Sequence, residues 1–195
     1  PRLKNVSIIN KETMESKAVM SLGEFETAYL EKDLLGIKAD ADCFYIYTAE
    51  EIRAYKTDNI YNGYMENYAE PKAVYKSTEA ISDVVLYEGN LFILTESGIN
   101  IIKVENDGFK NVGEYKSAGK IMSVEPVGKK MYAYSEQAKA IQVLDITDLG
   151  NITLSEQITV TDSDTEGIKD IALDGTRIYA ADLTKGFSLY SASEI

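Results

Sequence analysis

Apolar and polar residues alternate along most of this chain in short runs broken by polar, glycine-containing turns. That is the period of strands, not of helices. Four segments align beneath one another from Leu34, Ile81, Ile121 and Ile168: LLGIKADADCFYIYTAEEIRAYK, ISDVVLYEGNLFILTESGINIIKV, IMSVEPVGKKMYAYSEQAKAIQVLDI and IKDIALDGTRIYAADLTKGFSLY. An apolar residue recurs at the fourth position as Ile37, Val84, Val124 and Ile171, and an aromatic at the twelfth as Tyr45, Phe92, Tyr132 and Tyr179. Between them lie the turns EGN at 88–90, GKK at 128–130 and DGT at 174–176, where glycine supplies the positive φ of a tight hairpin. A third strand follows each aromatic, with apolar positions at Ile52 and Ala54, Ile99 and Ile101, Ile141 and Val143, and Phe187 and Leu189. Asn106-Asp107-Gly108 then signals a hairpin into a fourth strand.

Each unit therefore reads as a four-stranded antiparallel meander, and a repeat of roughly 40 to 50 residues is the spacing of propeller blades. The fold class expected is all-β: a β-propeller of four-stranded blades, with about five sheets or an arc of a larger ring. The chain divides on this reading, as one propeller domain over 1–195, into a partial blade at 1–33, full blades at 34–80, 81–120 and 121–167, and a partial blade at 168–195. The N-terminal NVSIINKETMESKAVMSL follows the rhythm of IQVLDITDLGNITLSEQI, which makes it a third and a fourth strand. A ring closing within one chain needs those strands in the final blade. Otherwise, missing residues or another chain complete it, because open sheet edges are avoided.

Composition narrows the chemistry. A net charge of -12 with no Lys/Arg run speaks against nucleic acid as a partner. The chain has no histidine, which removes Ser-His-Asp and Cys-His catalysis and imidazole metal ligands. The single cysteine, Cys43, has no internal disulfide partner and sits in the apolar run DCFYIY, where a buried inert thiol is expected. No apolar stretch is long enough for a transmembrane segment. The sequence opens on Pro1 without an initiator methionine, so residues alone leave the compartment unknown.

Two stretches stand out as candidate sites. In TDSDTEGIKD, Asp162, Asp164, Glu166 and Asp170 have the alternating carboxylates of a calcium loop, resembling those of integrin-type propellers, which makes calcium the one candidate cofactor. The competing reading is a solvated linker at a blade entry, since Asp170 has a counterpart in Asp83. The second stretch, TDNIYNGYMENYAE, interrupts the first full blade and places Tyr61, Tyr64 and Tyr68 with Ile60 and Met65 on one face at helical spacing. Such a face either packs on the blade edge or offers a tyrosine-rich contact surface for a protein or carbohydrate partner. Arg53 and Arg177 occupy non-equivalent blade positions, so no arginine cluster for a carboxylate is expected.

The segment EGIKDIALDGTRIYAADLTKGFSLY resembles the LVIVD-repeat propellers, a YVTN/NHL-like family of secreted and surface bacterial and archaeal proteins. The matching positions are Gly167, Asp170, Ile171, Ala172, Gly175, Tyr179, Ala180 and Asp182, with Val143 to Thr147 in the blade before. The resemblance implies an acidic, non-catalytic binding scaffold, extracellular or on the cell surface. The alternatives are a calcium-dependent propeller hydrolase and a structural domain of a larger assembly. A scaffold fold does not fix the function.

Overall fold

A computed structural model describes residues 5–9, 11–14, 16–21, 33–57, 71–106, 108–160, 167–182 and 186–191. Strands β1 (Asn5–Ile9) and β2 (Ser16–Ser21) form a two-stranded antiparallel sheet I. Sheet II follows as β3 (Gly36–Ala39), β4 (Cys43–Tyr47), β5 (Glu51–Lys56) and β6 (Ala73–Lys76). Sheet III is β7 (Asp83–Tyr87), β8 (Asn90–Thr95), β9 (Gly98–Glu105) and β10 (Gly108–Lys116). Sheet IV is β11 (Ile121–Val127), β12 (Lys130–Ser135), β13 (Ala140–Asp145) and β14 (Thr153–Thr159), and sheet V is β15 (Ile168–Asp174), β16 (Arg177–Asp182) and β17 (Gly186–Ser191). Every sheet is a meander in sequence order, and no helix occurs among the described residues. The fold is all-β, a β-propeller of antiparallel sheets, three of which have four strands among the described residues.

The chain separates into two compact units, Pro1–Thr78 with Val104–Phe109, and Glu79–Lys103 with Lys110–Ile195. In the first, β4 and most of β5 are buried on both faces. Phe44 stacks on Tyr55 with ring centroids 5.1 Å apart, and Arg53 Nε donates to Glu51 Oε1 at 2.9 Å in a buried ion pair. Where the first hairpins of sheets III, IV and V use glycine, sheet II turns at Asp40, whose Oδ1 accepts from the amides of Asp42 and Cys43 and whose Oδ2 accepts from the Tyr45 hydroxyl. A carboxylate capping two turn amides replaces the conformational freedom of glycine. Cys43 is buried, and desolvation pushes its thiol above the ordinary range.

In the second unit β11 packs against β7 and β15. Between sheets III and IV lie Phe92, Leu94, Ile99 and Ile101 on one side and Ile121, Val124, Met131 and Ala133 on the other, all buried. The next seam repeats the scheme, with Tyr132, Tyr134, Ile141 and Val143 of sheet IV against Ile168, Ile171, Ile178 and Ala180 of sheet V. Full burial of each such aliphatic side chain is worth about 1.5–3 kcal/mol. Strict alternation would put the first and fourth positions of the repeat on opposite faces. A register shift between Ile121 and Ser123, and again between Ile168 and Asp170, inserts one residue into β11 and β15. Both apolar positions then enter the same seam.

The repeat columns are uniform in sequence but not in burial. Val84, Val124 and Ile171 are buried at the fourth position, whereas Ile37 is 51% exposed. Tyr45, Phe92 and Tyr132 are buried at the twelfth, whereas Tyr179 is 36% exposed. At Phe92, Val124, Tyr132 and Ile171 the burial comes from a neighbouring sheet, which the local pattern does not encode.

The tightest backbone approach within the second unit sets a demand on one residue. A Cβ on Gly113 of β10 would overlap the carbonyl oxygen of Leu149, in the connection from β13 to β14. Both obstacles are main chain, so neither can rotate away. Gly113→Ala is expected to lower the unfolding free energy by about 2–3 kcal/mol in urea titration, while alanine at Gly108, where nothing lies within 4 Å, has little effect.

Candidate functional site

The acidic stretch can be followed only at its end. Asp162, Asp164 and Glu166 lie outside the described residues, while Asp170 sits in β15 with its Oδ1 accepting from the Ser123 hydroxyl at 2.7 Å and from the amide of Ile171 at 3.0 Å. Ser123 occupies in β11 the column that Asp170 occupies in β15, so the bond ties equivalent positions of consecutive first strands. Asp83, in the same column of β7, accepts from the amide of Val84 at 2.7 Å. The carboxylate at this column thus serves the strand entry. Among the described residues no cluster of three or more acidic, cysteine or histidine side chains could hold a metal ion. Tyr61, Tyr64 and Tyr68 also lie outside the described residues.

Beside this joint stands Glu125, whose carboxyl is pushed above the ordinary range, first by burial and then by the negative charge of Asp170. It lies directly across β11–β12 from Tyr132, whose hydroxyl is buried with no hydrogen-bond partner. The loops at one end of sheets III and IV enclose an open groove of about 560 Å³ lined by Glu79, Glu96, Ser97 and Gln137 among others. Glu79 there accepts from the hydroxyl and the amide of Ser97 at 2.7 and 3.1 Å, which holds its carboxyl below the ordinary range. The groove carries no paired acid and base with opposed shifts.

A different surface is built by sheet V. Cross-strand pairing aligns Ala172, Tyr179 and Leu189 in one row and Ala181 with Phe187 in the next. Through the repeat, Tyr179, Phe187 and Leu189 correspond to Tyr132, Ile141 and Val143, which face sheet V from sheet IV and are at most 1% exposed. In sheet V the corresponding side chains are open: Phe187 is 72% exposed and Leu189 56%. Large apolar groups side by side on a surface mark a contact region rather than isolated exposure. Their spacing reads as core, so sequence alone assigns them to the interior. Serine standing where Asp83 and Asp170 stand was the available signal for the Ser123 joint.

No family model and no curated protein matches the chain. Among solved structures it is similar to the crystal structure of the computationally designed Ika4 protein, with a TM-score of 0.62 over 84% of this chain and 93% of that chain. Identity is 5%, so the likeness is one of fold alone.

Glu125 gives the site a pH signature with a defined sign. A folded-state value raised above the ordinary 4.5 means that the ionised carboxylate costs stability near neutrality, and that the cost disappears as the pH falls and the group is protonated in both states. Glu125→Gln is therefore expected to melt higher than the parent chain at pH about 7, with the difference closing below pH about 4. Calorimetric midpoints across that interval check it, and a constant difference would remove the assignment.

Proposed function

We propose that this chain is a non-catalytic interaction scaffold whose recognition surface is the exposed face of sheet V, presented to a polypeptide partner. One observation carries the reading: Tyr179, Phe187 and Leu189 are open at positions whose repeat counterparts form a dry seam. Leaving such side chains in water forgoes burial worth about 1.5–3 kcal/mol each, a cost that a binding partner recovers. The face combines aromatic and aliphatic groups, with Asp170, opposite Ala181, as the charged residue of its two central rows, and such a mixture suits an interface. The resemblance to LVIVD-repeat propellers supports a place outside the cell or on its surface, and the charge of -12 supports partners other than nucleic acid.

A hydrolytic reading has one observation in its favour, the raised Glu125 carboxyl beside Asp170, because a half-buried acid next to a second carboxylate is a common acid–base arrangement. The engagement of Asp170 with Ser123 and Ile171 weighs on the other side, since it occupies one oxygen of the second carboxylate in a strand-entry contact. Calcium at Asp162, Asp164, Glu166 and Asp170 belongs to that second reading and is tested by unfolding in EDTA and then in excess calcium, where native-state binding raises the midpoint.

The scaffold reading is tested at the apolar face itself. The parent chain is expected to enhance anilinonaphthalene sulfonate fluorescence, and Phe187→Glu with Leu189→Glu to abolish most of that enhancement without lowering the melting midpoint. Unchanged dye binding in the double variant places the accessible apolar surface elsewhere and overturns the assignment.

A further inference from the structure

Within the second unit, the first hairpin turns of sheets III and IV and the β13–β14 connection enclose a cavity of about 460 Å³. Its apolar side is Phe92, Ile146 and Leu149, so the cleft opens onto one end of the seam between the two sheets. Its rim is polar, with Glu88 and Asn90 from the β7–β8 hairpin and Lys129 and Thr147 from sheet IV. The walls are tied together. The Tyr87 hydroxyl donates to the Gly128 carbonyl at 3.3 Å, joining one turn to the other, and the Ile146 amide donates to the Lys129 carbonyl at 2.8 Å. An apolar floor with a few polar groups around it, in a volume of roughly 300–1,000 Å³, is the usual form of a small-molecule site.

Glu88 carries the argument further. Counted from Ile81, Ile121 and Ile168, it stands in the column of Gly128 and Gly175. All three have a left-handed backbone, with φ of 47°, 57° and 59°. Glycine adopts that conformation freely and glutamate does not. A side chain kept under strain at the mouth of a cavity is a signature of use. Glu88 and Lys129 flank the same opening, yet neither forms an ion pair among the described residues.

We propose that this cleft binds a free α-amino acid with an apolar side chain. The ligand's ammonium meets Glu88, its carboxylate meets Lys129, and its side chain covers Phe92, Ile146 and Leu149. Charge selects the zwitterion. An anionic ligand would cover Glu88 without pairing it and would also meet the field of a chain carrying -12, while a cationic ligand would leave Lys129 covered and unpaired. A zwitterion answers both rim charges at once. This site is separate from the face of sheet V and does not depend on it.

Isothermal titration calorimetry of the full chain with L-phenylalanine and with L-leucine tests the proposal. Saturable binding of L-phenylalanine at millimolar concentration or below is expected, with L-leucine binding at the same site in competition. N-acetyl-L-phenylalanine, which lacks the ammonium, and L-phenylalaninamide, which lacks the carboxylate, bind roughly tenfold or more weakly. Glu88→Gly removes the difference between phenylalanine and its N-acetyl derivative, and Lys129→Gln removes the difference between phenylalanine and its amide. Glu88→Gly melts no lower than the parent chain, because glycine is the residue at both counterpart positions, so its lost affinity is not lost fold. No saturable heat from either amino acid overturns the proposal. Equal binding of phenylalanine and its two derivatives overturns it as well, as does an affinity for phenylalanine that both substitutions leave unchanged.

Discussion

The second unit depends on one constraint: a β-sheet in which both faces are apolar must be covered on both faces. Strand β12 is buried along almost its whole length, with Met131 and Ala133 in the seam with sheet III and Tyr132 and Tyr134 in the seam with sheet V. The seams formed by Phe92, Leu94, Ile99 and Ile101, and by Tyr132, Tyr134, Ile141 and Val143, meet that requirement through the same columns each time. The one-residue bulges in β11 and β15 are part of the same solution, since they rotate the entry isoleucine into the seam that the fourth position already occupies. Polar groups are admitted at the seam's margin only where they find partners, as Ser123 does with Asp170. The exception is the Tyr132 hydroxyl, which is buried without one.

The same constraint explains where a surface for recognition arises. In sheet V one face is covered by sheet IV through Ile178 and Ala180, and the other carries the next set of column residues, Tyr179, Phe187 and Leu189, partly to largely exposed. An element that is a buried third strand in one repeat becomes, by position alone, an outer strand with exposed phenylalanine and leucine. Function proposed from this surface needs no catalytic group. It uses the apolar area of Phe187 and Leu189 that sheet V leaves exposed.

Much of this architecture is legible in residues. Hairpins at Glu88-Gly89, Gly128 and Gly175 occur where the turn chemistry places them, with positive φ at each. The four-stranded meanders follow from alternation, and the aromatic column identifies the second strand of sheets II to V. Asp40 was less readable: it departs from the glycine turn of the other repeats, and only the hydrogen bonds to Asp42, Cys43 and Tyr45 show how a carboxylate replaces it. Ser123 and Glu125 were invisible as a pair with Asp170, because they are 45 or more positions apart in sequence and meet only through the packing of β11 on β15.

The sequence by itself determined the strands, their turns and the meander order, since these follow from side-chain alternation and backbone preference over a few residues. The absence of histidine also leaves the given sequence without imidazole as a base or metal ligand. Tertiary structure alone decided that Tyr179, Phe187 and Leu189 face outward while Tyr132, Ile141 and Val143 are sealed. The two sets share one local pattern. Whether water reaches them depends on the presence of an adjoining sheet, a long-range property that no short window of sequence contains.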